Sequence, residues 1–174
     1  MADPVGLRFN KQDGAVPSGE KLRKLVDNEL LDADTLAVVV LKDMYAEFRG
    51  VTAETAKASI WKDAGSSPKV HAHVARHDFE AWLLPYWNVI LGRISNVQKP
   101  WGDHPEDVND DDPPAHRLQG LYHLAKPKSR RYKKPSEAAA ILRGQDLAVA
   151  AGRCPELKAF LNTLLRLSKL PEIP

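Results

Sequence analysis

Sulfur chemistry is nearly absent from this chain. Cys154 is the one cysteine in 174 residues, so no internal disulfide can form, in keeping with a reducing compartment. No apolar run approaches the length of a bilayer span, and Met1-Ala2-Asp3-Pro4 does not begin a signal peptide, which points to a cytoplasmic protein with no membrane attachment. Charge of one sign is scarce as well: a formal net charge of +2 is too small in itself to argue for a polyanionic partner. The chain contains no Walker-type loop, no dinucleotide fingerprint and no Gly-x-Ser-x-Gly elbow, which excludes nucleotide hydrolysis and acyl transfer by those routes. Cys154, directly before Pro155 at a helix start, reads as a small hydrophobe rather than a nucleophile. With 43% apolar residues the chain can bury one core, and 1–174 is expected to form a single domain without internal repeats.

What is present is concentrated between Val70 and Trp87. Val70, Ala72 and Val74 alternate with His71 and His73, the two-residue period of a half-buried strand. From His77 the period changes, and Phe79, Leu83, Tyr86, Trp87 and Ile90 fall at helical spacing. His77, Asp78 and Glu80 therefore lie where a strand gives way to a helix, the place where open α/β sheets hold ligands. Upstream, Leu36 to Leu41 is a continuous apolar run suited to a strand covered on both faces, and it ends in Lys42-Asp43. A helix from about Ser18, with a stripe of Leu22, Leu25, Val26 and Leu30, precedes it. A second helix from Thr52 to about Asp63, with Thr52 as N-cap, links the two strands. Strand, helix, strand, helix implies a parallel βαβ core.

The rest of the chain divides in two. Residues 92–114, rich in Pro and Asp, read as a long irregular connection; its run Asp110-Asp111-Asp112 is a solvated surface feature, with Asp112 placed to cap a helix starting near Pro114. Residues 115–174 read as helical: His116 to Ala125, Pro135 to Arg143, a turn capped by Asp146, and an amphipathic helix from Glu156 to Leu170. Between the first two of these lies Lys126-Pro-Lys-Ser-Arg-Arg-Tyr-Lys-Lys134. Its cations Lys126, Lys128, Arg130, Arg131, Lys133 and Lys134, with Tyr132 among them, suit phosphate contact plus base stacking; the alternative is a solvated surface segment.

Two carboxylates brought together at strand ends are what a magnesium or manganese ion requires, because hard cations take oxygen ligands. Asp43 and Glu80 are the candidates for the metal, with Asp78 or His77 assisting. Each has a plainer alternative: Glu80 caps its helix or pairs with Arg76 or Arg93, and Asp43 caps a turn and pairs with Lys42 or Arg49. His71 and His73 have no cysteine near them to complete a zinc site and read as surface or sheet-packing residues.

The segments Val38 to Tyr45, His73 to Trp87, Tyr132-Lys-Lys-Pro135 and Arg153 to Phe160, above all His77-Asp-Phe-Glu-Ala-Trp82, resemble the bacterial family catalogued as domain of unknown function 4276, from about Leu36 onward. That family is regarded as related to Toprim-like nuclease subunits that accompany ATPases in phage-defence loci. The resemblance implies an α/β fold with a small parallel Toprim-like sheet flanked by helices and a mostly helical C-terminal half. It also implies metal-binding acids at Asp43 and Glu80, and nucleic acid, an ATPase or a further copy of the chain as partners. Two features depart from the Toprim pattern: Asp43-Met44-Tyr45 has no second acid, and no early glutamate is found between Met1 and Gly19. The leading expectation is a magnesium- or manganese-dependent nuclease subunit. The competing one is a non-catalytic binding subunit whose helical half docks on a partner, with interface anchors among the aromatics around Trp82, Tyr86, Trp87 and Trp101, although aromatics at helical spacing are more often core.

Overall fold

A computed structural model describes Gly6, Arg8 and residues 16–45, 47–94, 104–108, 112–124 and 132–174. In chain order these form α1 (Gly19–Leu30), β1 (Val38–Asp43), α2 (Ala53–Asp63), β2 (Val70–Ala75), a 3-10 helix (Phe79–Tyr86), α3 (Trp87–Arg93), a 3-10 turn (Pro105–Asp107), α4 (Pro114–Leu124), α5 (Lys134–Leu142), α6 (Leu147–Ala151) and α7 (Pro155–Leu167). The fold is mixed α/β, with a two-stranded sheet of β1 and β2. The backbone bonds Val38 N–H to Lys69 C=O and Met44 N–H to Ala75 C=O keep one constant offset, as parallel pairing requires. Among the described residues no helix is long and apolar enough to cross a membrane.

The chain packs as two compact units. The first contains residues 1–42, 50–74 and 159–174. Here α1 buries Leu22 and Val26 and packs on α2, which buries Ala56 and Ile60. Asp63 accepts from Gly19 N–H at 2.9 Å, satisfying one donor at the start of α1, and Thr52 caps α2 through Thr55 N–H. Gly65 follows α2 with φ +93°, a backbone conformation that strains any residue with a Cβ, so glycine is favoured at this helix exit.

β1 lies two residues later than the apolar run suggests: Leu36 is exposed, while Lys42 is buried and donates to Ser18 Oγ at 2.7 Å. Pairing with β2 sets this register, and the bond to Ser18 lets a lysine occupy a core position. The strand is not covered on both faces, since Val38, Val39 and Leu41 are only half-buried. In β2, His73 is buried: its ring meets Phe160 edge to face and its Nε2 lies 3.0 Å from Thr163 Oγ1. Burial and the neighbouring cations hold its pKa down at about 4, so it packs as a neutral ring.

The second unit contains residues 43–49 and 75–158. Its centre is the 3-10 helix, which packs against α3, α4, α5, α6 and the turn at Pro105. The sequence period suggests an α-helix here, and the difference has a local cause. Pro85 sits inside the segment, lacks an N–H and crowds the carbonyl four residues back. The segment buries nearly all its side chains, Glu80 to Leu84 and Tyr86. Trp82, Tyr86 and Trp87 are thus core residues and not exposed anchors, and Trp101 lies outside the described residues. The connection read as irregular contributes the 3-10 turn and one buried acid, Glu106.

Candidate functional site

Asp43 and Ala75 end the two strands and belong to the second unit, so the chain enters the site region twice from parallel strand ends. After β2 the backbone turns through His77, whose φ of +68° lies in the left-handed region. That conformation is uncommon for a residue with a Cβ and is tolerated better by His than by branched residues. His77 C=O accepts from Tyr45 N–H, which ties the exit of β2 to the exit of β1. Asp43 Oδ1 accepts from Phe79 N–H at 3.2 Å, taking a first-turn donor of the 3-10 helix.

Asp78 is 3% exposed. Its Oδ2 accepts from Ala115 N–H at 3.1 Å, at the start of α4. It is Asp78, therefore, that serves the N-terminus of α4, while Asp112, expected in that role, instead accepts from Arg117. Asp78 Oδ1 is buried without a hydrogen-bond partner among the described residues. Burial, followed by the Glu80 charge, pushes the Asp78 carboxyl up to about 7, against the Ala115 N–H and the Lys134 charge.

Glu80 is fully buried, with Oε1 accepting from Tyr132 O–H at 3.1 Å and Oε2 from Lys134 Nζ at 3.3 Å. Burial raises its pKa, opposed by Lys134 and Tyr132. Neither arginine considered as its partner takes that part: Arg76 pairs with Asp107 and Arg93 with Glu137. The Lys134 ammonium also lies over the Phe79 ring, 5.6 Å from its centroid. Asp43 keeps a face on solvent, yet burial of its carboxyl raises the pKa, with Lys134 and the Phe79 N–H acting against it.

Some of these groups border a cavity of about 220 Å³. Asp43, Asp78, Tyr132 and Lys134 line it, together with Ala115, Tyr45, His116 and Gln119. Glu80 is not part of the lining; it lies behind Tyr132 and Lys134, which it bonds. His77 is not part of the lining either. Of the basic segment, Lys126, Lys128, Arg130 and Arg131 lie outside the described residues, and Lys133 is exposed. Tyr132 is buried against Tyr122, with ring centroids 5.4 Å apart, so its ring is not offered to solvent for stacking as its basic neighbours suggest.

Among the described residues no group of three or more His, Cys, Asp or Glu side chains is placed to hold a metal ion. Magnesium, however, is held by one or two carboxylates and keeps waters for the rest of its shell. Asp43 and Asp78, two carboxylates lining one cavity, match that smaller requirement in donor type.

Glu106 is the buried acid that sequence reasoning missed. It accepts from Trp82 Nε1 at 2.8 Å and from the backbone N–H of Glu156 and Leu157 at the start of α7. Nothing periodic marks the stretch around it. Cys154 is buried, its thiol pushed up to about 12 chiefly by burial, as suits a packing residue.

The family model described as Domain of unknown function (DUF4276) matches residues 7–165. Searches of curated proteins and of solved structures return no match.

Proposed function

We propose that this chain, which belongs to the DUF4276 family, is a magnesium- or manganese-dependent subunit of the Toprim-like nuclease type, acting on nucleic acid beside an ATPase in a phage-defence module. One observation carries the reading: Asp43 and Asp78 line one cavity with the Lys134 ammonium, and Asp78 also has a buried Oδ1 without a hydrogen-bond partner among the described residues. A carboxylate left in that state is costly unless a cation or a proton completes it. Asp43 and Asp78 would hold the metal, which when bound polarises a phosphoryl oxygen and lowers the pKa of a bound water. Glu80 then has a different part from the one its position in sequence suggests. It holds the Lys134 ammonium at the cavity wall, where the cation can meet a phosphate oxygen. The remaining cations from Lys126 to Lys133 extend the phosphate contacts along a strand.

The test is cleavage of single-stranded and duplex DNA and RNA by the purified chain, with manganese, magnesium or a chelator, alone and with a candidate ATPase partner. Metal-dependent cleavage that Asp43→Asn and Asp78→Asn each abolish is the expected result. Cleavage surviving both substitutions would contradict the assignment of Asp43 and Asp78 to the metal, and no cleavage under any condition while the chain still binds an ATPase would instead favour a non-catalytic binding subunit.

A further inference from the structure

The cavity has a second wall of different chemistry from its acids and lysine. Tyr45, just past β1, is 38% exposed, and its ring meets that of His116 edge to face with centroids 5.5 Å apart at 72°. His116 and Gln119 stand one turn apart on α4, on the same helix face, and both are exposed. All three line the cavity that Asp43, Asp78 and Lys134 also line. The edge-to-face contact fixes each ring by the other, giving an aromatic face that is preorganised yet open. Gln119 adds an amide, acceptor and donor together, able to read the edge of a heterocycle.

A bare phosphate needs none of these groups. An unpaired base needs both, because recognition of single-stranded nucleotides combines stacking on aromatic rings with hydrogen bonds to base edges. A base inside a duplex has its faces occupied by stacking, and a cavity of about 220 Å³ does not admit a base pair with two backbones. We infer that the site takes one nucleotide unit with an unpaired base, the base against Tyr45, His116 and Gln119 and the phosphate toward Lys134. This rests on the metal-site reading above and adds the substrate class to it. The same chemistry is offered by a free nucleotide and by an unpaired nucleotide of a strand.

Calorimetric titration of the full chain separates these outcomes, using AMP, ribose 5-phosphate and inorganic phosphate, each with manganese and with a chelator. AMP should bind about tenfold or more tightly than ribose 5-phosphate, the scale of one base stacked on an aromatic side chain. Tyr45→Ala should remove most of that preference and Gln119→Ala part of it, with the affinity for ribose 5-phosphate unchanged. Equal binding of AMP and ribose 5-phosphate by the wild-type chain, or a preference that survives Tyr45→Ala, would overturn the inference. A short single-stranded oligonucleotide binding more tightly than AMP supports the strand as source, whereas AMP binding as tightly supports the free nucleotide. A duplex binding as well as the single strand overturns the requirement for an unpaired base. The two readings fail separately: an AMP preference intact in chelator, with no thermal response to manganese, removes the metal site and leaves the base wall. A manganese response that needs Asp43 and Asp78, without AMP preference, does the reverse.

Discussion

Glu106 and Asp78 are buried to the same extent, 3% exposed each, and only Asp78 borders the cavity. Around Glu106 three N–H donors converge, one from Trp82 and two from the start of α7, so both carboxylate oxygens are occupied. A proton on either oxygen would face a donor. Burial raises the Glu106 pKa while those N–H groups oppose it. Asp78 has one donor, an unpartnered oxygen and the buried Glu80 as a like-charged neighbour. The first region is a closed hydrogen-bond knot that holds Trp82 and a helix end; the second leaves one buried carboxylate oxygen unsatisfied on a residue that borders a cavity. Burial alone therefore says little about function, and the state of the last oxygen says more.

Substitution can break this contrast, and the largest effect is expected at the closed site. Glu106→Gln keeps the shape but turns an N–H toward a donor, and should cost about 2–3 kcal/mol in urea unfolding. A loss below about 0.5 kcal/mol would mean that the knot around Glu106 contributes nothing special. Next comes Tyr132→Phe, which removes the O–H donated to Glu80 Oε1 in a fully buried setting. It should cost about 1–2 kcal/mol. The thermal response to manganese should persist, because Asp43 and Asp78 are untouched.

The effect at the open site has the opposite sign, and it depends on pH. Because the folded pKa of Asp78 is raised from 3.8 to about 7, the folded chain retains a proton that the unfolded chain has lost between those values. Stability from this group is thus present at low pH and lost as pH rises through about 7. Without metal, Asp78→Asn should equal or exceed the wild type in melting temperature near about pH 8, and the difference should close toward about pH 5. A clear destabilisation by Asp78→Asn near pH 8 would place Asp78 in the same structural class as Glu106.

Much of this arrangement was legible in the chain, for reasons that also mark the limits. Apolar periodicity located α1 and α7, boundary residues located α2 and α5, and the caps at Thr52 and Asp146 act through Thr55 N–H and Ala148 N–H as their local chemistry suggests. Two strand ends joined by a helix were enough to gather Asp43, Asp78 and Glu80, because that needs only parallel topology. What escaped was set at long range. Asp78 bonds Ala115, 37 positions along the chain, and Glu80 bonds Tyr132, 52 positions along. No local pattern distinguishes an acid on the cavity from one behind its wall. Tyr132 looked like a stacking residue because its sequence neighbours are basic, whereas its burial is decided by Tyr122 and Glu80. Glu106 sits in a stretch without periodicity, and the groups it serves, Trp82 and the start of α7, lie far from it in sequence.

The most direct test of the open-versus-closed contrast is the melting temperature of the purified chain titrated with manganese, for wild type, Asp43→Asn, Asp78→Asn and Glu106→Gln. An ion that binds the folded state at a hundredfold excess over its Kd stabilises by about 2.7 kcal/mol, a shift easily resolved. The wild type and Glu106→Gln should rise with manganese from their different starting points, while Asp43→Asn and Asp78→Asn should stay flat. A wild type that does not respond, or an Asp78→Asn variant that rises as far as the wild type, would contradict the assignment of this cavity as a cation site.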